Sequence, residues 1–299
     1  MHKLTCPSIS QFEQLVELKD YQPPTKKEYV RCLRKLAEHY HCDPATLTQD
    51  QLRAYFLFLR QDKHCSGSAL SIIKAALQLF FRQQLGHADW TVFGKLVIRR
   101  GQPLPLVLSR PEVQRVLGVL REPRFRTCLR LIYHTGLRVG EAVRLKVTDL
   151  DGASLRLHVR QGKGGKDRCV PISAAMLQEL RAFWKTHRHP VWLFPAPGCA
   201  WRERATPLAQ RLQQADRPMS VSAVQNAFRL ARAESGIHPQ ATVHTLRHCY
   251  ATHLLEEGVS LRLISQYLGH QSLDVTVIYT HLTATHEGQA RAALERLLP

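Results

Sequence analysis

The sequence predicts a mainly α-helical protein of two domains: a small helical bundle, then a mixed α/β but mostly helical domain with one small β-hairpin sheet. Helix-start signals followed by apolar residues at helical spacing recur along most of the chain. Apolar/polar alternation is clear in one stretch, Ser154–Arg160 (SLRLHVR). Between the two domains, RRGQPLPLVL at residues 99–108 breaks the pattern, because Gly101, Pro103 and Pro105 cannot share one helix. The expected division is a helical domain at 1–100, a linker at 101–108 and a larger domain at 109–299.

In the first domain the spacing predicts a short helix around Phe12–Leu18, broken by Pro23-Pro24. Thr25-x-x-Glu28 reads as a capping box ahead of Tyr29, Leu33, Leu36 and Tyr40, with Asp43-Pro44 as the stop. Thr48-x-x-Gln51 caps a helix whose apolar face is Leu52, Tyr55, Phe56 and Leu59. HCSGS (64–68) is a turn, and Ser68 starts a helix through Ile72, Ala76, Leu77 and Phe80 to Leu85. A shorter element holds Trp90 and Phe93. The aromatics sit at core spacing, so they read as packing rather than as base-stacking surfaces.

In the second domain Ser109-x-x-Glu112 opens a helix through another capping box. Phe125–His134 is a buried helix stopped at Thr135-Gly136, and Leu137–Glu141 leads into a helix with Ala142, Val143 and Leu145. The alternating strand runs into a Gly-rich basic turn, QGKGGKDR (161–168), and Cys169–Ile172 returns. Ser173 caps a helix to about Trp184, and VWLFP (191–195) reads as a strand. Residues 196–219 have no clear pattern and are expected as an exposed loop or an insert. Ser222–Ser235 is amphipathic and stopped by Gly236. The next helices begin at HTLRH, stopped by Gly258, and at Ser260, stopped by Gly269. Ser272 is positioned to cap a helix carrying Tyr279, and Glu287–Leu298 is a last amphipathic helix.

Charge is the strongest global clue. The net charge is +18, of which residues 1–100 contribute +6 and the remainder +12. Two basic halves suit a polyanion held by both. No apolar run reaches the length of a membrane span, and MHKLTCPSISQFEQ has no apolar signal core, so a cytoplasmic protein is expected. The eight cysteines are scattered without a C-x-x-C pair. They read as reduced thiols, mostly in the core, rather than as disulfides or a zinc site.

Chemistry concentrates in Thr242–Leu282, which holds His244, Arg247, His270 and Tyr279. His244 and Arg247 are three apart and share a helix face. A phenol beside a guanidinium and two imidazoles is equipped to attack a phosphodiester. Free tyrosine is only about 0.1% phenolate at pH 7, so a base or nearby cations must activate it. Charge develops on the non-bridging phosphate oxygens, which guanidiniums hold bidentately. The leaving alkoxide needs a proton, and a lysine on the Gly-rich turn is placed to give it. One phosphodiester replaces another of similar energy, so neither metal nor ATP is required.

TGLRVGE around Arg138, RQGKGGKDR around Lys163, HTLRH at His244–His248, YLGH at Tyr267–His270 and IYTHL at Ile278–Leu282 together resemble the tyrosine recombinases, the phage integrase family, and most closely their Xer-like bacterial branch. Each motif alone is weak; five in order, with nine residues from His270 to Tyr279, are specific. The resemblance implies a SAM-like core-binding bundle ahead of a tyrosine-recombinase catalytic domain, and it implies roles residue by residue. Arg138 and Arg247 would clamp the scissile phosphate. Lys163 would protonate the 5′-oxygen, with Lys166 on the same turn as the alternative. His244 would act as base or proton shuttle, and His270 would bind and position the phosphate. Tyr279 would form a 3′-phosphotyrosyl link, and Glu141 would support the active-site arginine. His248, His253 and His281 read as structural or DNA-facing, and Tyr250 and Tyr267 as core.

The expected activity is site-specific recombination of duplex DNA by a homotetramer on two sites, with no cofactor, metal, membrane or small-molecule substrate, and with a mobile element as the favoured setting. Segment 196–219, longer than in short Xer-like chains, would bear on substrate choice, and the helix at 287–298 on assembly. Rival readings are a DNA-binding accessory factor without catalysis, Xer-type chromosome-dimer resolution and a topoisomerase IB-like relaxing enzyme. A metal-dependent nuclease would use His244, His248 and His253, which have few carboxylates beside them.

Overall fold

The computed structural model describes residues 6–98, 104–160, 167–198, 206–270, 272 and 274–277. The chain divides into two compact units, Met1–Pro103 and Leu104–Pro299.

The first unit is a bundle of α1 (Pro7–Glu17), α2 (Pro23–Tyr40), α3 (Gln49–Gln61), α4 (Gly67–Gln78) and the short α5 (Val92–Lys95), with a 3-10 turn at Pro44–Thr46. Phe12, Leu33, Leu36, Leu52, Leu77, Phe80 and Phe81 are fully buried in its core. Phe80 meets Phe12 edge-on at 5.6 Å and Phe81 at 5.0 Å between ring centroids. Leu79, Phe80 and Phe81 are consecutive and all buried, which is more than one face of an α-helix holds. Past Gln78 the chain widens into a π-helical turn over Leu79–Gln84, which narrows the arc these three side chains span.

Several boundaries differ from the sequence expectation. Pro23-Pro24 starts a helix instead of breaking one, because proline's missing N–H has no partner at the first helical position and its φ is already helical. Gln22 is therefore the N-cap and Thr25 lies inside α2. Proline also opens α1, at Pro7, five residues before Phe12. Ser66, not Ser68, caps α4 by accepting from the Ala69 N–H at 3.3 Å. Ile72, assigned to the apolar face, is exposed, and Trp90 lies outside α5. The Thr48/Gln51 box closes as expected: Thr48 Oγ1 accepts from the Gln51 N–H at 3.3 Å, and Gln51 Oε1 from the Thr48 N–H at 2.8 Å. Tyr55, Phe56, Phe80 and Phe93 are core, as their spacing predicts.

The second unit comprises α6 (Arg110–Gly118), α7 (Pro123–Thr135), α8 (Val139–Val143), a 3-10 turn at Val147–Asp149, β1 (Leu150–Asp151), β2 (Arg156–Val159), β3 (Arg168–Pro171), α9 (Ala174–Lys185), α10 (Leu208–Gln213), α11 (Val221–Ser235), α12 (Val243–Glu256), α13 (Leu261–Leu268) and α14 (Asp274–Val277). The Ser109/Glu112 box caps α6, with the Ser109 N–H on Glu112 Oε2 at 2.8 Å. Leu108, from the end of the stretch read as linker, is buried here and donates its N–H to Cys249 Sγ at 3.2 Å. Helix α7 is the hub and packs against α6, α8, α9, α11 and α12. Helix α12 is buried on nearly every side, from Val243 and Leu246 to Tyr250, Ala251 and Leu255.

The hairpin is present, but it belongs to a three-stranded antiparallel sheet of order β1-β2-β3, with Leu150 opposite Leu157 and Leu157 opposite Val170. The expected strand at VWLFP is not formed. Trp192 and Pro195 make isolated bridges to Lys146 and Pro218, so this run is stitched to two segments without a ladder. That second bridge also draws the ends of 196–219 together, and the segment holds α10 with Leu212 and Met219 buried. Its described part is thus anchored at Leu212 and Met219 while most of its other residues stay exposed; residues 199–205 lie outside the described residues. So do the hairpin tip at 161–166 and the expected helix at 287–298. Of the described cysteines, Cys6, Cys32, Cys128 and Cys249 are buried, and all are free thiols. No described helix is long and apolar enough to cross a membrane.

Candidate active site

Helix α12 positions two of the expected residues. His244 and Arg247 are both in its first turn and a half, where Thr242 accounts for the N-terminus by donating its N–H to Thr245 Oγ1 at 2.9 Å. Arg247 is only 2% exposed, an expensive place for a charge unless its donors are matched. Nη1 donates to the Gly136 carbonyl at 2.5 Å and Nη2 to the Leu268 carbonyl at 2.7 Å. The guanidinium therefore joins the C-terminal ends of α7 and α13. Gly136 is in the left-handed region (φ 64°), and a Cβ there would stand 2.4 Å from Tyr250 Cδ1 and 2.8 Å from Leu268 Cδ2. Only glycine fits both the backbone and the space, and this is the glycine of the TGLRVGE motif.

Arg138 follows as the N-cap of α8, and the R-x-x-E spacing has a local cause. Glu141 is the third residue of that helix and reaches back to the Arg138 N–H at 2.9 Å, as a capping-box glutamate does. The same carboxylate takes Arg138 Nη1 at 2.9 Å. It also receives a second guanidinium, from Arg168 on β3, with Nη1 to Oε1 at 3.1 Å and Nη2 to Oε2 at 2.7 Å. Burial by itself would raise the Glu141 carboxyl; the Arg168 fork, and after it the Arg138 N–H and charge, hold it at about 2. Glu141 is therefore ionised throughout the neutral range, and Arg138, Glu141 and Arg168 together carry a net +1.

The two histidines feel the same cations. His270 follows the left-handed Gly269 that ends α13, and its Nδ1 lies 2.8 Å from Thr276 Oγ1 at α14. Burial first, then the charges of Arg247, Arg138 and Arg168 and the neighbouring His244, push the His270 imidazole down to about 4. His244, at the exposed edge of the cluster, is lowered by partial desolvation of its ring, then by Arg247 and Arg138. Both rings are neutral at pH 7 and each keeps an acceptor nitrogen. His244 stands edge-to-face with His248, their centroids 4.6 Å apart. Arg138, His244, Arg247 and His270, drawn from over 130 residues of chain, thus form one electropositive cluster.

Lys163, Lys166, Tyr279 and His281 lie outside the described residues. His253 is buried, and the Tyr133 hydroxyl lies 2.8 Å from its Nδ1, a packing contact rather than a surface one. Tyr250 is core, as expected, and Tyr267 is partly buried against the core. Among the described residues no group of three or more His, Cys, Asp or Glu side chains is arranged to hold a metal ion. The sequence reading missed Arg168. The available signal was its register: on β3 it shares a face with the buried Val170, and a charge on an inward strand position requires a partner.

Residues 107–286 match the phage integrase family, and residues 9–90 match the phage integrase N-terminal SAM-like domain. A Sinorhizobium fredii protein named as an integrase/recombinase is 34% identical over 95% of this chain and 87% of its own length. Tyrosine recombinase XerA of Thermococcus kodakarensis is 31% identical, over 97% of each chain. Among solved structures, a XerA recombinase covers 98% of both chains at 26% identity with a TM-score of 0.51. A lambda integrase dimer bound to a core site shares the fold, with a TM-score of 0.70 at 19% identity, covering 91% of this chain and 93% of that one. By sequence over nearly its whole length and by fold, the chain belongs to the phage integrase family of tyrosine recombinases, enzymes that cleave and rejoin DNA strands.

Proposed function

We propose that this chain is a site-specific recombinase acting on duplex DNA through a covalent 3′-phosphotyrosyl intermediate at Tyr279. The phenolic oxygen attacks the scissile phosphorus, the P–O bond to the 5′-oxygen breaks, and a proton from Lys163, or Lys166 on the same turn, goes to the leaving oxygen. His244, neutral at pH 7, accepts the phenol proton. Arg138 and Arg247 hold the non-bridging oxygens. His270 binds the same phosphate and is fixed through Thr276, three residues before Tyr279 in sequence. Rejoining reverses the step on a new 5′-hydroxyl, so the bond energy is retained without ATP.

The observation that carries this reading is the convergence of three segments on Arg247: its guanidinium holds the main-chain carbonyls of Gly136 and Leu268, two residues before Arg138 and His270, and both arginines stand close enough to depress both imidazoles. The substrate is duplex DNA held by a homotetramer on two sites, a reading supported by the net charge of +18 and by structural neighbours such as a lambda integrase tetramer bound to a Holliday junction. Relatives named as integrases favour a mobile element as the setting.

The test is a nicked suicide duplex resolved on a denaturing gel. Wild-type protein should yield a DNA adduct that survives denaturation, also in EDTA, and Tyr279→Phe should yield none. An adduct of undiminished yield with Tyr279→Phe would remove the nucleophile from this account.

A further inference from the structure

Arg168 has no part in the chemistry described above, yet its side chain is placed more deeply than that of Arg138, at 8% against 27% exposed. All three of its guanidinium nitrogens are engaged. Two hold the two oxygens of Glu141, and Nε donates to the Tyr267 carbonyl at 2.8 Å. Its stem lies against the turn that follows, where a Cβ on Gly269 would come within 3.0 Å of Arg168 Cδ. One side chain thus ties three segments: β3, the N-terminus of α8 with Arg138, and the end of α13 that leads into His270.

We infer that Arg168 is a positioning residue that sets the Arg138 guanidinium and the His270 turn at a fixed separation and keeps Arg138 available to phosphate. The inference rests on the reading of Arg138 as a phosphate ligand. The physical reason is competition for a carboxylate. A buried glutamate with one guanidinium partner pairs fork to fork with it, which spends that guanidinium's charge and hydrogen-bonding edge. Arg168 occupies both Glu141 oxygens, so Glu141 engages Arg138 through Nη1 and the main-chain N–H. Without Arg168, Glu141 would draw Arg138 into a full fork away from the substrate. Tyr267 and Gly269 would at the same time lose the contact that seats the His270 turn. A misplacement of about 1 Å at such a site costs about 10²-fold in rate.

The experiment measures single-turnover cleavage of a suicide duplex by the full chain, with the thermal midpoint recorded for every variant. The scissile link is either the natural phosphodiester or a methylphosphonate, whose uncharged methyl group removes the demand for an arginine. Arg168→Met should lose about 10²-fold on the phosphodiester and much less on the methylphosphonate, in parallel with Arg138→Ala. Adding Glu141→Gln to Arg168→Met should recover part of the loss, because a neutral amide no longer captures Arg138. If Arg168→Met does not fold, Arg168→Lys serves, since one ammonium cannot span both Glu141 oxygens and the Tyr267 carbonyl; about a 10-fold loss with the same methylphosphonate relief is expected. An equal loss on both links, or wild-type cleavage by Arg168→Met while Arg138→Ala is impaired, overturns the inference. Unimpaired cleavage by Arg138→Ala overturns instead the reading on which it rests.

Discussion

The two units bury different things. Among the described residues of the first, the one buried polar residue is Ser8, and the core is aromatic and aliphatic around Phe12, Phe80 and Phe81. The second buries Asp149, His187, His189, Arg247 and His253 alongside its aliphatic core. Burying a charge costs stability unless hydrogen bonds replace the lost water, and here main-chain carbonyls do so for Arg247. Among its described residues the first unit buries no charged side chain. The second unit instead fixes a cation inside the fold, where burial and two main-chain carbonyls hold the Arg247 guanidinium in one place.

That contrast can be tested, and the largest effect should come from the apolar side. Phe80→Ala should cost about 3–5 kcal/mol in the first unit, the usual penalty for emptying a phenylalanine site. Denaturant unfolding would show it, and the covalent adduct formed by the protein remaining folded should persist. A loss under about 1 kcal/mol would mean the π turn relaxes to fill the space. Gly136→Ala attacks the second unit where backbone and packing coincide. Its left-handed φ and the contact with Tyr250 together should cost about 2–4 kcal/mol, and the Arg247 acceptor should shift with them. Unlike Phe80→Ala, it should lower cleavage per folded molecule; unchanged cleavage would separate the Gly136 carbonyl from the chemistry.

Acid should distinguish the units next. His187, His248 and His270 of the second unit are each depressed to about 4, by burial foremost. The unfolded chain takes up these protons near 6.5 while the folded chain refuses them, so the stability they contribute is complete above about pH 6.5 and declines as pH falls towards 4. Glu141, held at about 2, adds a further loss as pH drops below about 4.5. The thermal midpoint of the second unit should fall between pH 7 and pH 4.5; a flat profile over that window would show that those imidazoles are solvated. The smallest effect expected is Thr48→Ala, which removes a closed capping box from α3 and should cost about 1 kcal/mol, read by thermal unfolding of the first unit.

The places where sequence reading succeeded share a physical range. Ser109 with Glu112, Thr48 with Gln51, and the stops at Gly136, Gly236 and Gly269 all involve groups within about one helical turn, so the residue types alone specify the bonds. Glu141 was legible only through the family resemblance; that its spacing to Arg138 is a cap spacing emerged from the structure. The failures at Pro23 and Ser66 were also local: in each case two valid start signals stood within a few residues, and the structure uses the earlier one.

What the sequence by itself determined is therefore most of the described helices, α10 excepted, the alternating hairpin, the family motifs and the excess of positive charge. Only the tertiary structure decided that β1 completes a sheet, that VWLFP bridges two segments instead of forming a strand, and that Arg168 braces Glu141 and Tyr267. Arg168 is 27 residues from Glu141 and 99 from Tyr267. Over such separations an arginine's type states only that it needs an acceptor, and the folded backbone determines which acceptor comes within reach.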